Sequence, residues 1–494
     1  MLASGCVNTP RVHAGAASTG DGGAPPPIPI ERMTRRFIVP RRAPLALCAL
    51  LAGTAPAAAQ EPAPVRLEHF TLDNGLRVVL APGHASQTIA VDVAYNVGSR
   101  NEQPGRTGFA HLFEHMMFQG SAHVPKGEHH GLVGRNGGRT NGFTTEDRTE
   151  YFSVLPSDRL ALGLWLEAER LRSLAVTEEN FRNQRQAVQE ELRVRVDNQP
   201  YVGAVGRAVD GVVDPASCFA YAHDAGGSMA DLDAAGVAEA QAFFRQYYVP
   251  NNATLVVAGD FDPAEARRLI QAWFAPIPRG PAAPAVECTP RFDTGGPLRH
   301  VHDPRAPLPL VLHVYPVPAY ADAEFPAIAL LASVLGQRES SRLNRTLVRG
   351  TRTAAGTIAQ VGGTGSGATG RASPRRGPQV LLVGAIANGG VTADSIHAQL
   401  RAEMDRIARE GVTDEELRKA RNTWRADVVT GRQQPLFLAE DIQVATLFLG
   451  SPEAVNTDLA RFQAVTADDI RRAAAQYLRA DNALAQVISS QPAS

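Results

Sequence analysis

The five residues His111-Leu112-Phe113-Glu114-His115 place two imidazoles four positions apart with a carboxylate between them. On an α-helix, residues i and i+4 lie on one face, a turn apart, so both rings can hold a single metal ion. Glu114 stands at the edge of that face, close enough to reach a water on the metal. Zinc takes nitrogen and carboxylate donors in tetrahedral geometry, and a catalytic zinc uses three protein ligands and leaves the fourth position to water. A third ligand is therefore needed. The best source is the stretch from Thr177 to Leu192, with Thr177 as helix cap, Glu178 and Glu179 in the first turn, and Phe181, Val188 and Leu192 at helical spacing. Spacing alone leaves both Glu190 and Glu191 open.

Chance would produce an H-x-x-E-H string in about one chain in fifty of this composition, so the surroundings must decide. Phe109, Leu112, Phe113, Met116 and Met117 make the segment a helix packed on several sides, and Gly120 stops it. Polar groups on such a helix are costly unless they are used. The order H-x-x-E-H, the inverse of H-E-x-x-H, is a zinc-peptidase signature. The competing readings are a pair of hydrogen-bonded core histidines, or a structural zinc site, which would need a fourth protein ligand where Glu114 stands. Glu128-His129-His130 is not read as a second metal site, because adjacent helical residues point in different directions. The run from Gly362 to Gly367 lacks the Gly-Lys-Ser/Thr ending of a phosphate loop and is read as a surface loop.

The motif does not stand alone. Asp73-Asn74-Gly75-Leu76, Gly98-Ser99-Arg100-Asn101-Glu102, the stretch Gly108 to Phe118, Asn141-Gly142-Phe143-Thr144-Thr145-Glu146-Asp147-Arg148-Thr149-Glu150-Tyr151, Trp165-Leu166-Glu167-Ala168-Glu169-Arg170, Asp197-Asn198-Gln199-Pro200-Tyr201 and Tyr248 to Asp260 extend it. Together they resemble the pitrilysin/insulinase family of zinc metallopeptidases, and more narrowly its short bacterial, mitochondrial-processing-peptidase-like branch. The resemblance covers nearly everything after residue 65.

The resemblance implies Glu191 as the third ligand and one Zn2+ per chain held by His111, His115 and Glu191. It implies a metalloendopeptidase of peptides or unfolded segments, with Glu114 activating a zinc-bound water. Substrate would add as a strand to a sheet edge at Asn141–Thr145, with Asn141 and Phe143 as substrate-binding residues. The fold implied is α+β: two homologous halves in tandem, each a mainly antiparallel sheet covered by helices, in a clam-shell arrangement in which one half carries the metal and the other closes over it. In the short branch the chamber is built from two chains.

Three positions depart from the family pattern. Gln184 stands where a further Glu is common on the ligand helix, and Val348 and Ala355 stand where active single-chain members carry an Arg and a Tyr that hold substrate; Arg349 and Arg352 are near but displaced. The chain is therefore expected to be the zinc-bearing member of a heterodimer whose homologous partner supplies that clamp, with a homodimer as the alternative. The rival within the same family is a non-catalytic scaffold or assembly subunit.

Composition agrees. The 494 residues, 44% hydrophobic, support a sizeable core, and a net charge of −1 gives no hint of nucleic-acid binding. Arg35, Arg36, Arg41 and Arg42, the apolar run from Leu45 to Ala52 and Ala57-Ala58-Ala59 read as a signal peptide over 33–59, too short in its apolar part to span a bilayer. The mature chain is then periplasmic or secreted. Residues 1–32, rich in Gly, Ala and Pro, are read as a mis-assigned or disordered extension before the true start at Met33. An exported compartment permits a disulfide between Cys218 and Cys288, but their spacing says little about geometry, and the bridge is not assumed.

The organisation follows: a zinc-bearing half over 65–277, a Pro/Gly-rich linker over 278–306, and a second half without metal over 307–490. Strands are predicted on either side of Asn74-Gly75, at 88–97, at Thr145–Leu155 and at Thr254–Gly259, with helices at 157–172, 178–195 and 233–247. In the second half strands are predicted at Leu310–Tyr315 and Val380–Ala387, and helices at 323–336, 393–410, 413–431 and 466–478.

Overall fold

The computed structural model describes residues 63–336, 338–362 and 374–490. The expected extension and signal peptide, and most of the 362–367 loop, lie outside the described residues. In the first half the chain runs β1 Glu68–Thr71, β2 Arg77–Pro82, β3 Thr88–Tyr95, α1 Phe109–Met116, α2 Glu128–Arg135, β4 Arg139–Thr144, β5 Thr149–Pro156, α3 Leu160–Ser173, α4 Glu178–Leu192, α5 Val202–Gly211, α6 Met229–Ala234, α7 Val237–Tyr247, β6 Ala253–Gly259 and α8 Pro263–Phe274. The second half runs β7 Arg299–His302, β8 Leu310–Val317, α9 Phe325–Gly336, β9 Ala354–Val361, β10 Gln379–Ala387, α10 Ala393–Glu410, α11 Asp414–Gly431, α12 Pro435–Phe448, α13 Asp458–Ala464, α14 Ala467–Tyr477 and β11 Leu484–Ser489.

The strand orders are β1-β2-β6-β3-β5-β4 and β7-β11-β8-β10-β9. Apart from β1 they are the same order. Even the single parallel pairing recurs, β2 with β6 and β7 with β11, while the other neighbours are antiparallel. The chain is thus a tandem of two α+β halves. The Asn74-Gly75 hairpin forms as its residues dictate: Gly75 takes φ 91°, and the Asn74 amide donates to the carbonyls of Phe274 and Ile277, pinning the turn to the end of α8.

Strand alternation gives each sheet two apolar faces. On the first sheet Val78, Leu80, Val91 and Val93 pack under α1, α3, α4 and α7. The opposite face, through Val79, Ala81, Ala90, Val256 and Ala258, packs on Leu436, Ala439, Ile442 and Ala445 of α12. Helix α12 belongs to the second half. The exchange is mutual: α5 of the first half lays Ala208 and Val209 on Leu312, Val314, Val380 and Leu382 of the second sheet. Each large aliphatic side chain so buried is worth roughly 1.5–3 kcal/mol. A buried polar seam accompanies α12. Arg148 lies 3.1 Å from Glu150 and 3.3 Å from Glu440, and Gln443 donates to Asp92 at 2.8 Å. A slip of α12 would leave these groups buried and unpaired, which is costly.

Several expectations are corrected. Among the described residues the core packed around α1 draws on the first half, and α12 of the second half covers the opposite face of that sheet. The helix expected at 233–247 is two helices parted at Ala235-Gly236, and the strand expected from Thr145 begins at Thr149. The stretch 278–306 carries no helix, but its residues Arg299–His302 already pair with β11 as β7. Cys288 within it is bonded to Cys218, their Cα atoms 4.8 Å apart. A Pro- and Gly-rich composition excludes helix; it does not exclude pairing. No described helix is long and apolar enough to cross a membrane.

Candidate metal centre

Every residue of α1 is buried, its two histidines and its glutamate included. The helix begins at Gly108, which holds φ 92°, and its free N-terminal amides are met by Glu102, whose carboxylate accepts from Gly108 N at 2.9 Å and Ala110 N at 2.8 Å. A carboxylate there satisfies the orphan donors and the helix dipole together. His223 Nε2 lies 3.2 Å from the same carboxylate. Glu102 and His223 therefore set where α1 starts. Glu102 belongs to the Gly98–Glu102 stretch of the family resemblance, whereas no local pattern in the sequence marks His223.

The rings of His111 and His115 stand 5.0 Å apart, nearly perpendicular. Donor atoms of His111, Glu114 and His115 lie within 4.8 Å of one another. Helix α4, capped by Thr177 whose side chain accepts from Asn180 N, crosses alongside. It turns Glu191 inward and Glu190 outward. Glu191 Oε2 is 3.1 Å from His115 Nε2 and 4.0 Å from His111 Nε2, whereas Glu190 is 65% exposed and pairs with Arg193. Bonds of about 2.1 Å in a tetrahedral zinc site put ligand atoms about 3.4 Å apart, so the spacing of these groups suits that ion. The other oxygen of Glu191, Oε1, lies 2.8 Å from Arg195 Nη1.

Electrostatics prepare the same groups. Burial, helped by His115, lowers His111 to about 4, so its ring is neutral and its nitrogens are available. Burial alone would raise Glu191, but its bond to His115 and the neighbouring imidazoles and Arg195 guanidinium outweigh that and hold it at about 2, ionised. Burial lowers His115 less than Glu191 and Glu114 raise it; a metal would displace that proton. Glu114 is pushed up to about 7, chiefly by burial. Nδ1 of His111 is buried without a hydrogen bond of ordinary geometry and faces Gly226. A nitrogen–nitrogen–carboxylate donor set in a nearly dry pocket fits a divalent zinc ion.

Strand β4 forms the outer edge of the first sheet, beside α1. A Cβ on Gly142 would sit 3.2 Å from Glu114 Cγ and 3.0 Å from the Tyr151 ring, so strand and helix approach this closely only because no side chain intervenes. Thr144 Oγ1 reaches the Ala110 carbonyl at 3.4 Å and also bonds Glu114. Phe143 points the other way. It is 3% exposed, in the cluster under α12, with the Arg148 guanidinium 5.3 Å from its ring centre. Its side chain is a core residue there and cannot be the substrate contact expected of it. Strand alternation gives half-buried Asn141 the same face as Phe143 rather than that of Gly142.

In the second half, Val348 lies in a π-helical turn, Asn344–Gly350, half-buried against the second core, and Ala355 is exposed on the edge strand β9. Arg349 pairs with Glu339 at the surface. His129 packs against Phe118 and is joined to no metal-binding group among the described residues.

Residues 77–205 match the family model of the Insulinase family (Peptidase family M16), and residues 236–423 match that of the Peptidase M16 inactive domain. The chain is 30% identical over 367 residues, 74% of its length, to 79% of the zinc protease PqqE of Helicobacter pylori. The crystal structure of a protease from Helicobacter pylori superposes with a TM-score of 0.78 at 27% identity, covering 86% of this chain and all of that one. The probable zinc protease PqqL of Escherichia coli is 28% identical over 235 residues, 43% of this chain and 23% of PqqL. The crystal structure of the periplasmic protease PqqL from Escherichia coli shares the fold, with a TM-score of 0.68 at 21% identity over 87% of this chain and 48% of that one.

Proposed function

Because the chain belongs to the insulinase (M16) family of zinc peptidases, we propose that it is a zinc-dependent endopeptidase acting on peptides or unfolded segments. His111, His115 and Glu191 hold one zinc ion and Glu114 is the general base. The observation that carries this reading is the convergence of Glu191 Oε2 on two buried imidazoles beside a carboxyl held at about 7. When bound, the zinc ion supplies Lewis acidity, polarising the scissile carbonyl and acidifying the attacking water.

Glu114 takes the proton from that water as its oxygen attacks the carbonyl carbon, and returns it to the amine nitrogen as the C–N bond breaks. A carboxyl whose affinity for protons lies near neutrality can do both. The edge of β4 offers backbone N–H and C=O groups to an extended peptide, and Gly142 lets that edge lie against Glu114. Asn141 flanks the added strand.

Among the described residues the core around α1 is built from the first half alone, and Val348 and Ala355 stand where an Arg and a Tyr are expected. The chain is accordingly the zinc-bearing member of a two-chain peptidase, with a homologous subunit or a second copy completing the chamber. The Cys218–Cys288 bridge supports an oxidising compartment such as the periplasm or the exterior.

The test is metal content together with hydrolysis of an internally quenched, unstructured peptide by the chain purified alone and after co-purification from its host. One zinc per chain with hydrolysis that rises sharply in the co-purified complex supports both parts. Full activity of the isolated monomer removes the partner, and bound zinc without hydrolysis in either sample returns the chain to the scaffold reading.

A further inference from the structure

The two oxygens of Glu191 are used differently. Oε2 faces the imidazoles, while Oε1 accepts from Arg195 Nη1 at 2.8 Å. Arg195 comes four residues later, where α4 has passed into the π-helical turn Arg193–Asp197. Such turns recur at functional sites because they re-aim side chains that a regular helix would send elsewhere. Its neighbour Arg193 behaves as a surface residue, 54% exposed and paired with Glu190, whereas Arg195 is 33% exposed and directed at the buried carboxylate. Two turns before Glu191 on α4 stands Gln184, which brings no charge to orient anything.

We propose that Arg195 is a positioning residue for Glu191. It occupies Oε1, so that the carboxylate presents one oxygen to the metal and leaves the place beside Glu114 to water. The inference rests on the proposed role of Glu191 as a metal ligand. The terminal torsion of a glutamate is broad and two-fold, so an untethered carboxylate exchanges its oxygens or offers both. A carboxylate offering both would crowd the open position that a catalytic zinc needs. A charge-assisted bond from a guanidinium removes that freedom before the metal arrives, and partners of this kind are worth about 10–100-fold in metal affinity or activity.

The experiment compares Arg195→Met, Arg195→Lys and Glu191→Gln in the full chain. Zinc affinity is read by competition with a chromophoric chelator, the visible spectrum of the cobalt(II)-substituted protein reports coordination, and thermal unfolding without metal checks the fold. Arg195→Met is expected to weaken zinc binding about tenfold or more, to alter the cobalt spectrum, and to leave metal-free unfolding nearly unchanged. Arg195→Lys, which keeps the charge without the planar fork, should fall between it and the unaltered chain. Unchanged or tighter zinc binding in Arg195→Met, beside weakened binding in Glu191→Gln, overturns the role of Arg195 alone. Unchanged binding in Glu191→Gln overturns the ligand assignment itself. If Arg195→Met does not fold, Arg195→Lys decides, an intermediate loss supporting the proposal and no loss refuting it.

Discussion

Helices α1 and α9 hold the same place in the two halves. Each follows the central strand of its sheet, β3 or β8, and each precedes the edge strand, β4 or β9. Both are buried along almost their whole length. Counted from the first helical residue, His111, Glu114 and His115 of α1 stand where α9 has Ala327, Leu330 and Leu331. The next pair repeats the contrast. Helices α4 and α11 both begin after a Thr cap. At the same distance from that cap, Glu191 turns inward while Asp427 is 54% exposed and pairs with Arg338. One architecture thus carries either a polar quartet or a plain core. The fold does not require those polar groups, and burying them without partners is costly. Their presence in one half marks a use there.

The sharpest way to break this comparison is to mutate the matched positions. Glu114→Gln should lower hydrolysis of a quenched peptide about 10³-fold, within the usual worth of a general base, while zinc content stays at one per chain. Leu330→Gln, assayed as soluble folded protein, should leave turnover alone. Near-native activity of Glu114→Gln would falsify the assignment of the base.

Stability should show the reverse preference. Leu330→Ala removes packing from a dry core and should cost about 2–5 kcal/mol in denaturant unfolding. Glu114→Gln, which keeps volume and removes only a charge, should cost far less. Equal costs would mean that α1 is as much a core helix as α9.

A third effect concerns metal alone. Zinc at a hundred times its dissociation constant should stabilise the site by about 2.7 kcal/mol. Hydrogen exchange should show that protection at α1 and α4 and none at α9 and α11. Protection spread evenly over both halves would show them coupled through the exchanged helices instead.

The smallest expected change is at the sheet edges. Asn141→Ala on β4 should raise KM a few-fold, about 1 kcal/mol of lost hydrogen bonding, with kcat unchanged. Thr357→Ala on the matching edge strand β9 should move neither constant.

Much of this arrangement is legible in the chain. Helices α1, α4, α10 and α11 have apolar residues at helical spacing, and the last three carry Thr caps. The Asn74-Gly75 hairpin carries its own turn chemistry. Other features had no local signal. Helix α12 is apolar around much of its circumference, from Leu436 and Phe437 to Ile442 and Ala445, and nothing in its own periodicity says that it leaves its half to cover the other's sheet. Phe143 reads as part of a substrate strand because its neighbours do, yet alternation against α12 decides which way its ring points. The Cys218–Cys288 bridge, Arg195, and the anchoring of α1 by Glu102 and His223 all join residues far apart in the chain or beyond a regular helix.

The residues alone determined which chemistry was available. Two imidazoles and a carboxylate at i, i+3 and i+4 are brought together by helix geometry itself, before any packing occurs. Only the tertiary structure decided the rest. Which of Glu190 and Glu191 turns inward depends on how α4 is rotated against α1, the meeting of Glu191 Oε1 with Arg195 depends on the π-helical turn that follows α4, and the covering of the far face of the sheet depends on α12 arriving from the other half. These are outcomes of packing between distant segments, and no short window of sequence contains both partners.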